Sequence, residues 1–186
     1  VFSAHKMFGP LGTGVLYCKE QWAAQVEAFN FGGGSIRNVE FERTEFLDYP
    51  LRLEAGTANI PGVIGLGSAI DFIQQISLKD VTGNERNLSA TFKEKLKALG
   101  GISLVGNPKN FGGIVSFQVD NIHPHDVAGF LANENIAIRA GHHCAQPLLE
   151  SMGIHATARA SFSIYNTDED VDQTIRALAE LKKFWS

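Results

Sequence analysis

The sequence is poor in cysteine, in unbroken apolar stretches and in positive charge. Its two cysteines, Cys18 and Cys144, lie far apart in 186 residues and do not form the disulfide framework of a small secreted protein. The longest apolar run, residues 63–76, is interrupted by glycines, Ser68 and Asp71, so it falls short of the roughly 18 apolar residues of a membrane span. We therefore expect a soluble protein of the reducing cytoplasm.

Charge argues against nucleic acid as a partner. Sixteen lysines and arginines against twenty acidic residues give a net charge of −4, and no basic stripe stands out. Neither nucleic acid nor, given the broken apolar runs, a membrane is expected as a partner. Hydrophobic residues make up 44% and charged residues 19%, a balance typical of a packed globular protein.

The first residues suggest that the sequence is part of a longer chain. Val1 and Phe2 resemble the end of a buried strand that runs directly into Ser3. We therefore expect an upstream part that is missing here.

The glycine pattern divides the sequence. Ten of the nineteen glycines lie within residues 1–67, which predicts tight turns and hairpins there, with a strand at 15–18 and a helical turn at 21–26. Apolar periodicity predicts helices at 63–76, 84–99, 124–134 and 168–184, the first of them mostly buried, and strands at 102–105, 113–119, 136–139 and 158–165. The second part should be an α+β lobe in which helices cover an antiparallel sheet of about four strands.

Lys6 is the first candidate for chemistry. It follows Ser3, Ala4 and His5 at a strand end and precedes a glycine-rich turn. A lysine held partly away from water there can act as a nucleophile toward a carbonyl group. Taken alone, Lys6 fits an ordinary solvated lysine better.

Cys144 is the second candidate. It follows His142 and His143 on a loop that begins at Gly141 and precedes a helix that starts near Pro147, a setting that can keep a thiol accessible and reactive. The alternative is a buried cysteine acting as a small apolar residue. Zinc binding by His142, His143 and Cys144 is disfavoured because adjacent residues rarely converge on one ion, so no metal site is predicted.

Two further segments contain candidate binding residues. Arg159 lies in an apolar strand, where a substrate carboxylate or an internal ion pair with Glu54, Asp168 or Asp170 would satisfy its charge. The turn at residues 52–59 offers the Thr57 hydroxyl and free amides to a phosphate, or is a plain turn.

These motifs, taken in order, resemble one enzyme family. The segments at residues 3–17, 52–59, 139–147 and 158–167 are similar to those of the Suf-type (group II) cysteine desulfurases and their selenocysteine lyase relatives, within the class V aminotransferases of fold type I. The resemblance implies an α/β fold and the C-terminal half of such an enzyme. Residues 1–62 would be the remnant of the cofactor-binding large domain and residues 63–186 the small domain.

The resemblance also implies the site. Lys6 would bind pyridoxal 5′-phosphate covalently, with Ser3 and His5 on its phosphate. Thr57 would reach the same phosphate in the other subunit of a homodimer. Cys144 would carry the persulfide, and Arg159, with Arg139 as a second contact, would bind the substrate carboxylate.

The implied activity removes sulfur from L-cysteine, giving L-alanine and an enzyme persulfide for iron–sulfur cluster assembly. A protein acceptor, a Suf-type scaffold or sulfur carrier, would receive the sulfur. His123 and His125 precede a helix, and His125 is a candidate ligand for a metal carried by that acceptor; the alternative, which we favour, is that both histidines cap and flank the helix.

Two alternatives to the desulfurase remain at this point. One is a catalytically silent interaction module, because the aspartate and histidine with which the family contacts the cofactor ring lie upstream of the lysine motif. The other is a selenocysteine lyase.

Overall fold

The computed structural model describes residues 1–23, 25–106, 108–109 and 111–185. By their internal contacts these residues form two compact units, Val1–Ile76 and Ser77–Ser186. The predicted boundary at residue 62 concerns the domains of a complete enzyme and stays a prediction.

The first unit contains short elements joined by turns. Its elements are β1 (Phe2–Ser3), β2 (Gly14–Val15), α1 (Glu20–Ala23), β3 (Ile36–Val39), β4 (Thr44–Phe46) and α2 (Ile60–Gln75), with 3-10 turns at Ala4–Lys6 and Leu51–Leu53. Strands β1 and β2 pair antiparallel, as do β3 and β4. Helix α2 begins where the Asn59 side chain accepts a hydrogen bond from the Gly62 amide, with Pro61 in the first turn.

Burial in the first unit differs from expectation. Leu66 and Ala69 of α2 are buried, but Val63 is 55% and Ile64 is 66% exposed, so the prediction of a mostly buried helix is wrong for this chain. Phe2 is 40% exposed in β1, where a buried strand was expected. Apolar periodicity identifies the apolar face of a helix, but it does not determine which other part of the structure covers that face.

The second unit is the predicted α+β lobe. Its elements are α3 (Leu78–Leu99), β5 (Ile102–Leu104), β6 (Ile114–Val119), α4 (Pro124–Asn133), β7 (Arg139–Gly141), α5 (Gln146–Ser151), β8 (Thr157–Ser161) and α6 (Asp168–Trp185). The strands form one antiparallel sheet in the order β5-β6-β8-β7. Helices α3 and α4 pack against this sheet, and α6 packs on both helices with its buried residues in the same core, which confirms the predicted layer of helices on about four strands.

The core of the second unit follows from the sequence pattern. Every second residue of β6 is buried, namely Val115, Phe117 and Val119. The Phe92 ring of α3 meets Phe117 edge to face with centroids 5.9 Å apart. This core fixes the position of β8, and through β8 that of β7.

One strand is displaced from its predicted position. The ladder partner of β8 is Arg139–Gly141, where the sequence suggested residues 136–139. Ile136 and Ile138 are partly buried and pack on the core, so their apolar character reflects side-chain packing and not strand pairing.

No helix in the described part of the chain is both long and apolar enough to cross a membrane.

Candidate active site

The Lys6 turn is fixed by backbone hydrogen bonds. The Ala4 amide donates to the Thr13 carbonyl oxygen at 2.9 Å, and the amides of Met7 and Gly9 both donate to the Ala4 carbonyl oxygen. Ala4 is fully buried, whereas the His5 and Lys6 side chains are exposed. The partial desolvation considered for Lys6 is therefore absent in this chain.

Two glycines allow this close packing. A Cβ at Gly9 would lie 2.9 Å from the Cβ of Ala4, and a Cβ at Gly14 would lie 3.0 Å from the Phe2 carbonyl oxygen. The glycine-rich segment thus packs closely against the backbone of the Lys6 turn and leaves the His5 and Lys6 side chains accessible.

Asn59 links the Thr57 segment to the Lys6 hairpin. Its Nδ2 donates to Thr13 Oγ1 at 3.0 Å, while its Oδ1 accepts from the Gly62 amide at 3.1 Å. Thr57 itself is exposed, two residues before this anchor. The residue that fixes the segment is thus Asn59, whereas the sequence pattern pointed to Thr57.

The Cys144 loop has an unusual backbone. Gly141, His143 and Cys144 have φ values of 117°, 55° and 60°, all in the left-handed region that residues other than glycine rarely adopt. The turn is closed by the Ala145 amide, which donates to the His142 carbonyl oxygen at 2.9 Å. Cys144 is exposed, so the alternative of a buried, inert cysteine is wrong.

Arg139 contacts the thiol directly. Its Nη2 donates to Cys144 Sγ at 3.3 Å. Arg139 and Arg159 are opposite each other in the β7–β8 ladder. Negative charge on the sulfur or on a ligand beside it would be stabilised there.

Arg159 has no carboxylate partner among the described residues. Asp170, one of the acids considered for an ion pair, instead accepts hydrogen bonds from the Thr167 amide and from Asn166. The Arg159 Nε is buried, and within the residues described here it makes no hydrogen bond. A donor in that situation is suited to an anion brought by a ligand.

His143 joins the cysteine loop to β8. Its Nε2 lies 2.7 Å from Thr157 Oγ1 and 3.1 Å from the Thr157 carbonyl oxygen. Since a carbonyl only accepts, we assign the proton to Nε2. Burial lowers the pKa of His143 and the charge of Arg159 lowers it further, so the ring is neutral at neutral pH.

The other histidine pair lies on α4. The His123 side chain accepts a hydrogen bond from the His125 amide, as a helix N-cap does, and the two rings stack with centroids 5.4 Å apart. The His125 Nε2 is 3.9 Å from where a Cβ on Gly141 would lie, so the His125 ring is next to the start of the cysteine loop. The favoured interpretation, in which the histidines cap and flank the helix, thus agrees with the contact that His123 makes.

The described residues contain no cluster of three or more histidine, cysteine or acidic side chains arranged to bind a metal ion.

Comparison with known proteins identifies the family. The model of the aminotransferase class-V family matches residues 1–174. This chain belongs to the aminotransferase class-V family. Among curated relatives, a probable cysteine desulfurase of Staphylococcus epidermidis is 43% identical over all 186 residues, which correspond to 45% of that protein. The chain therefore spans about half the length of the curated relatives it matches.

Solved structures of similar proteins agree in fold. The apo cysteine desulfurase of Thermococcus onnurineus is 40% identical and superposes with a TM-score of 0.92, covering 98% of this chain and 46% of that protein. The Escherichia coli cysteine desulfurase CsdA (S-sulfonic acid) is 34% identical with a TM-score of 0.93, covering 98% of this chain and 45% of that protein. The predicted class V aminotransferase family and the predicted fold class are thereby confirmed, while the Suf-type subgroup stays a prediction.

Proposed function

We propose that the protein is a pyridoxal 5′-phosphate-dependent cysteine desulfurase that forms L-alanine and leaves the sulfur of L-cysteine on Cys144. One observation carries the proposal: an exposed thiol touches Arg139, and the neighbouring Arg159 has no carboxylate partner among the described residues. Such a site suits a substrate that brings both a carboxylate and a sulfur atom. Cysteine desulfurases are also the similar proteins reported above.

The residues around Lys6 fit the cofactor. Pyridoxal phosphate needs an amine for its aldehyde and hydrogen-bond donors for its phosphate. Lys6 offers an exposed amine, and Ser3 and His5 offer donors within the same turn. The Ser3 hydroxyl makes no capping bond there and is available to the phosphate. When bound, the cofactor supplies a sink for the electrons released at the substrate Cα.

The chain's own groups then have defined tasks. Arg159 and Arg139 hold the substrate carboxylate, and the Lys6 amine moves the proton of the substrate Cα. The Cys144 sulfur attacks the substrate sulfur while the bond from that sulfur to the substrate Cβ breaks. L-Cysteine and the Cys144 thiol thus give L-alanine and a Cys144 persulfide, with no external oxidant or reductant.

Assembly and sulfur delivery complete the proposal. Thr57 contacts the phosphate of the second subunit, so the functional unit is a two-fold homodimer. A protein acceptor, a Suf-type scaffold or carrier serving iron–sulfur cluster assembly in the cytoplasm, takes the sulfur from Cys144. The exposed His125 ring beside the cysteine loop is a candidate ligand for a metal on that acceptor.

Absorbance and product assays test the function. The full-length gene product is loaded with pyridoxal 5′-phosphate and freed of excess cofactor. It should then absorb in the visible and release L-alanine from L-cysteine. Lys6→Ala should lose the band, while Lys19→Ala, a change at an exposed lysine nearby, should keep it.

Cysteine variants test the role of the thiol. Cys144→Ala should lose turnover of L-cysteine, and Cys18→Ala should retain it. Release of alanine from selenocysteine alone would indicate the lyase instead. Absence of the visible band would favour the silent module.

A further inference from the structure

We propose that His143 is a positioning residue, whose Nε2–H donor to Thr157 holds the Cys144 thiol against Arg139. The proposal rests on the function proposed above. Its structural basis lies wholly within the second unit.

Backbone pairing and side-chain contacts tie both ends of the cysteine loop to β8. Gly141 is the ladder partner of Thr157, and Arg139 is the ladder partner of Arg159. The chain leaves β7 at Gly141, turns through His142 and Cys144, and is tied back to β8 where the His143 ring meets Thr157. Thr157 is fully buried, so this anchor is fixed by the core.

The backbone of the loop needs such an anchor. His143 and Cys144 are consecutive residues with positive φ, a conformation that is strained for residues other than glycine. Surrounding contacts must therefore hold it. The ring of His143 is the side chain of the turn seen to bond to β8, and the next residue carries the sulfur.

The ring must be neutral, with Nε2 as its donor. The groups that face it are Arg159 on β8, Arg139 on β7 and His142 in the turn, and each of their charges opposes a proton on the ring. The Nδ1 is buried and bonds to none of the described residues, so a second proton there would have no acceptor. A glutamine amide can replace the Nε2–H donor, whereas leucine fills similar space without one.

Alkylation of Cys144 with two reagents tests the proposal. Iodoacetate carries a carboxylate and iodoacetamide is neutral. The rate constant for iodoacetate divided by that for iodoacetamide, called the ratio below, therefore increases with positive charge beside the sulfur. The full-length gene product without cofactor or substrate is alkylated, and peptide mass spectrometry separates Cys144 from Cys18. In the wild type the ratio for Cys144 should exceed that for Cys18.

The variants give distinct outcomes. His143→Leu should lower the Cys144 ratio at least about five-fold, the factor equivalent to about 1 kcal/mol of attraction between charges about 4 Å apart in water. Because its side-chain amide replaces the Nε2–H donor, His143→Gln should keep the Cys144 ratio within about two-fold of the wild-type ratio. Arg139→Met should lower the ratio as a positive control.

Two results would overturn the proposal: an unchanged ratio in His143→Leu, or an equal loss in His143→Gln. If His143→Leu does not fold, the pair Thr157→Val and Thr157→Ser decides. Both variants keep the carbonyl oxygen at 3.1 Å, but the valine lacks the hydroxyl, which makes the shorter contact at 2.7 Å. Only the valine should therefore lower the ratio, and equal ratios would refute the anchor. Because no cofactor is present, failure of the desulfurase assignment would leave this result unaffected.

Discussion

Replacing Arg159 should lower activity without lowering stability. The Nε of Arg159 is buried and bonds to no described residue, and its ladder partner is another arginine. Arg159→Met keeps the apolar stem and removes the charged head. The fold should therefore tolerate this change well, while the proposed substrate site should not.

The magnitudes follow from these contacts. A buried polar group without a partner costs about 1–3 kcal/mol, and like charges opposite each other across strands cost up to about 1 kcal/mol. Arg159→Met removes both the unpartnered Nε and the repulsion from Arg139, so the free energy of unfolding should stay unchanged or rise by about 1–3 kcal/mol. A hydrogen bond to a charged group contributes about 1.5–3 kcal/mol, so kcat/KM for L-cysteine should fall roughly 10- to 150-fold.

The assay combines urea unfolding with steady-state kinetics. Arg52→Met is the matched control, since Arg52 also has a buried Nε without a partner in the described chain but donates through Nη2 to the Ala23 carbonyl oxygen at 2.5 Å. Because that variant also loses the bond to Ala23, its unfolding free energy should be lower than that of Arg159→Met by about 1.5–3 kcal/mol. A loss of more than about 1 kcal/mol in Arg159→Met, or unchanged kcat/KM, would refute the reasoning.

Two further predictions concern stability. Phe92 is fully buried, with its ring centroid 5.4 Å from that of Phe162, so Phe92→Ala should lower the free energy of unfolding by about 3–5 kcal/mol, measured by urea denaturation, and Phe92→Leu should cost less. The Asp170 carboxylate accepts from the Thr167 amide at the start of α6, and this bond lowers the pKa of Asp170. The contribution of this bond to the free energy of unfolding is present above a pH of about 4 and is lost as the pH falls below that value. Asp170→Ala should therefore lower the free energy of unfolding by about 1 kcal/mol at pH 7 and make it depend less on pH in the acid range.

The sequence predicted most of the second unit because its elements bury regular faces. The apolar positions of α3 and the alternation of β6 are local patterns that match the structure. The exposed face of α2 and the shift of β7 were not predictable from such patterns. Both depend on which surface a distant part of the chain provides.

The site was predictable to a different extent. Motif order led to Lys6 and Cys144 through resemblance to a family, and their roles stay predictions. The bond from His143 to Thr157 and the left-handed backbone at Cys144 depend on long-range packing that no local pattern encodes. A histidine directly before a candidate cysteine was the signal available, and it was weighed only as a metal ligand, a role that the sequence disfavoured.

Mass analysis of the peptide containing Cys144 tests the central claim most directly. The full-length gene product loaded with pyridoxal 5′-phosphate is incubated with L-cysteine, without an acceptor or reductant, and then digested. We predict that the Cys144 peptide gains the mass of one sulfur atom while one L-alanine forms per sulfur, and that neither occurs in Lys6→Ala. Alanine formation without sulfur on Cys144, or sulfur on Cys144 in Lys6→Ala, would contradict the account.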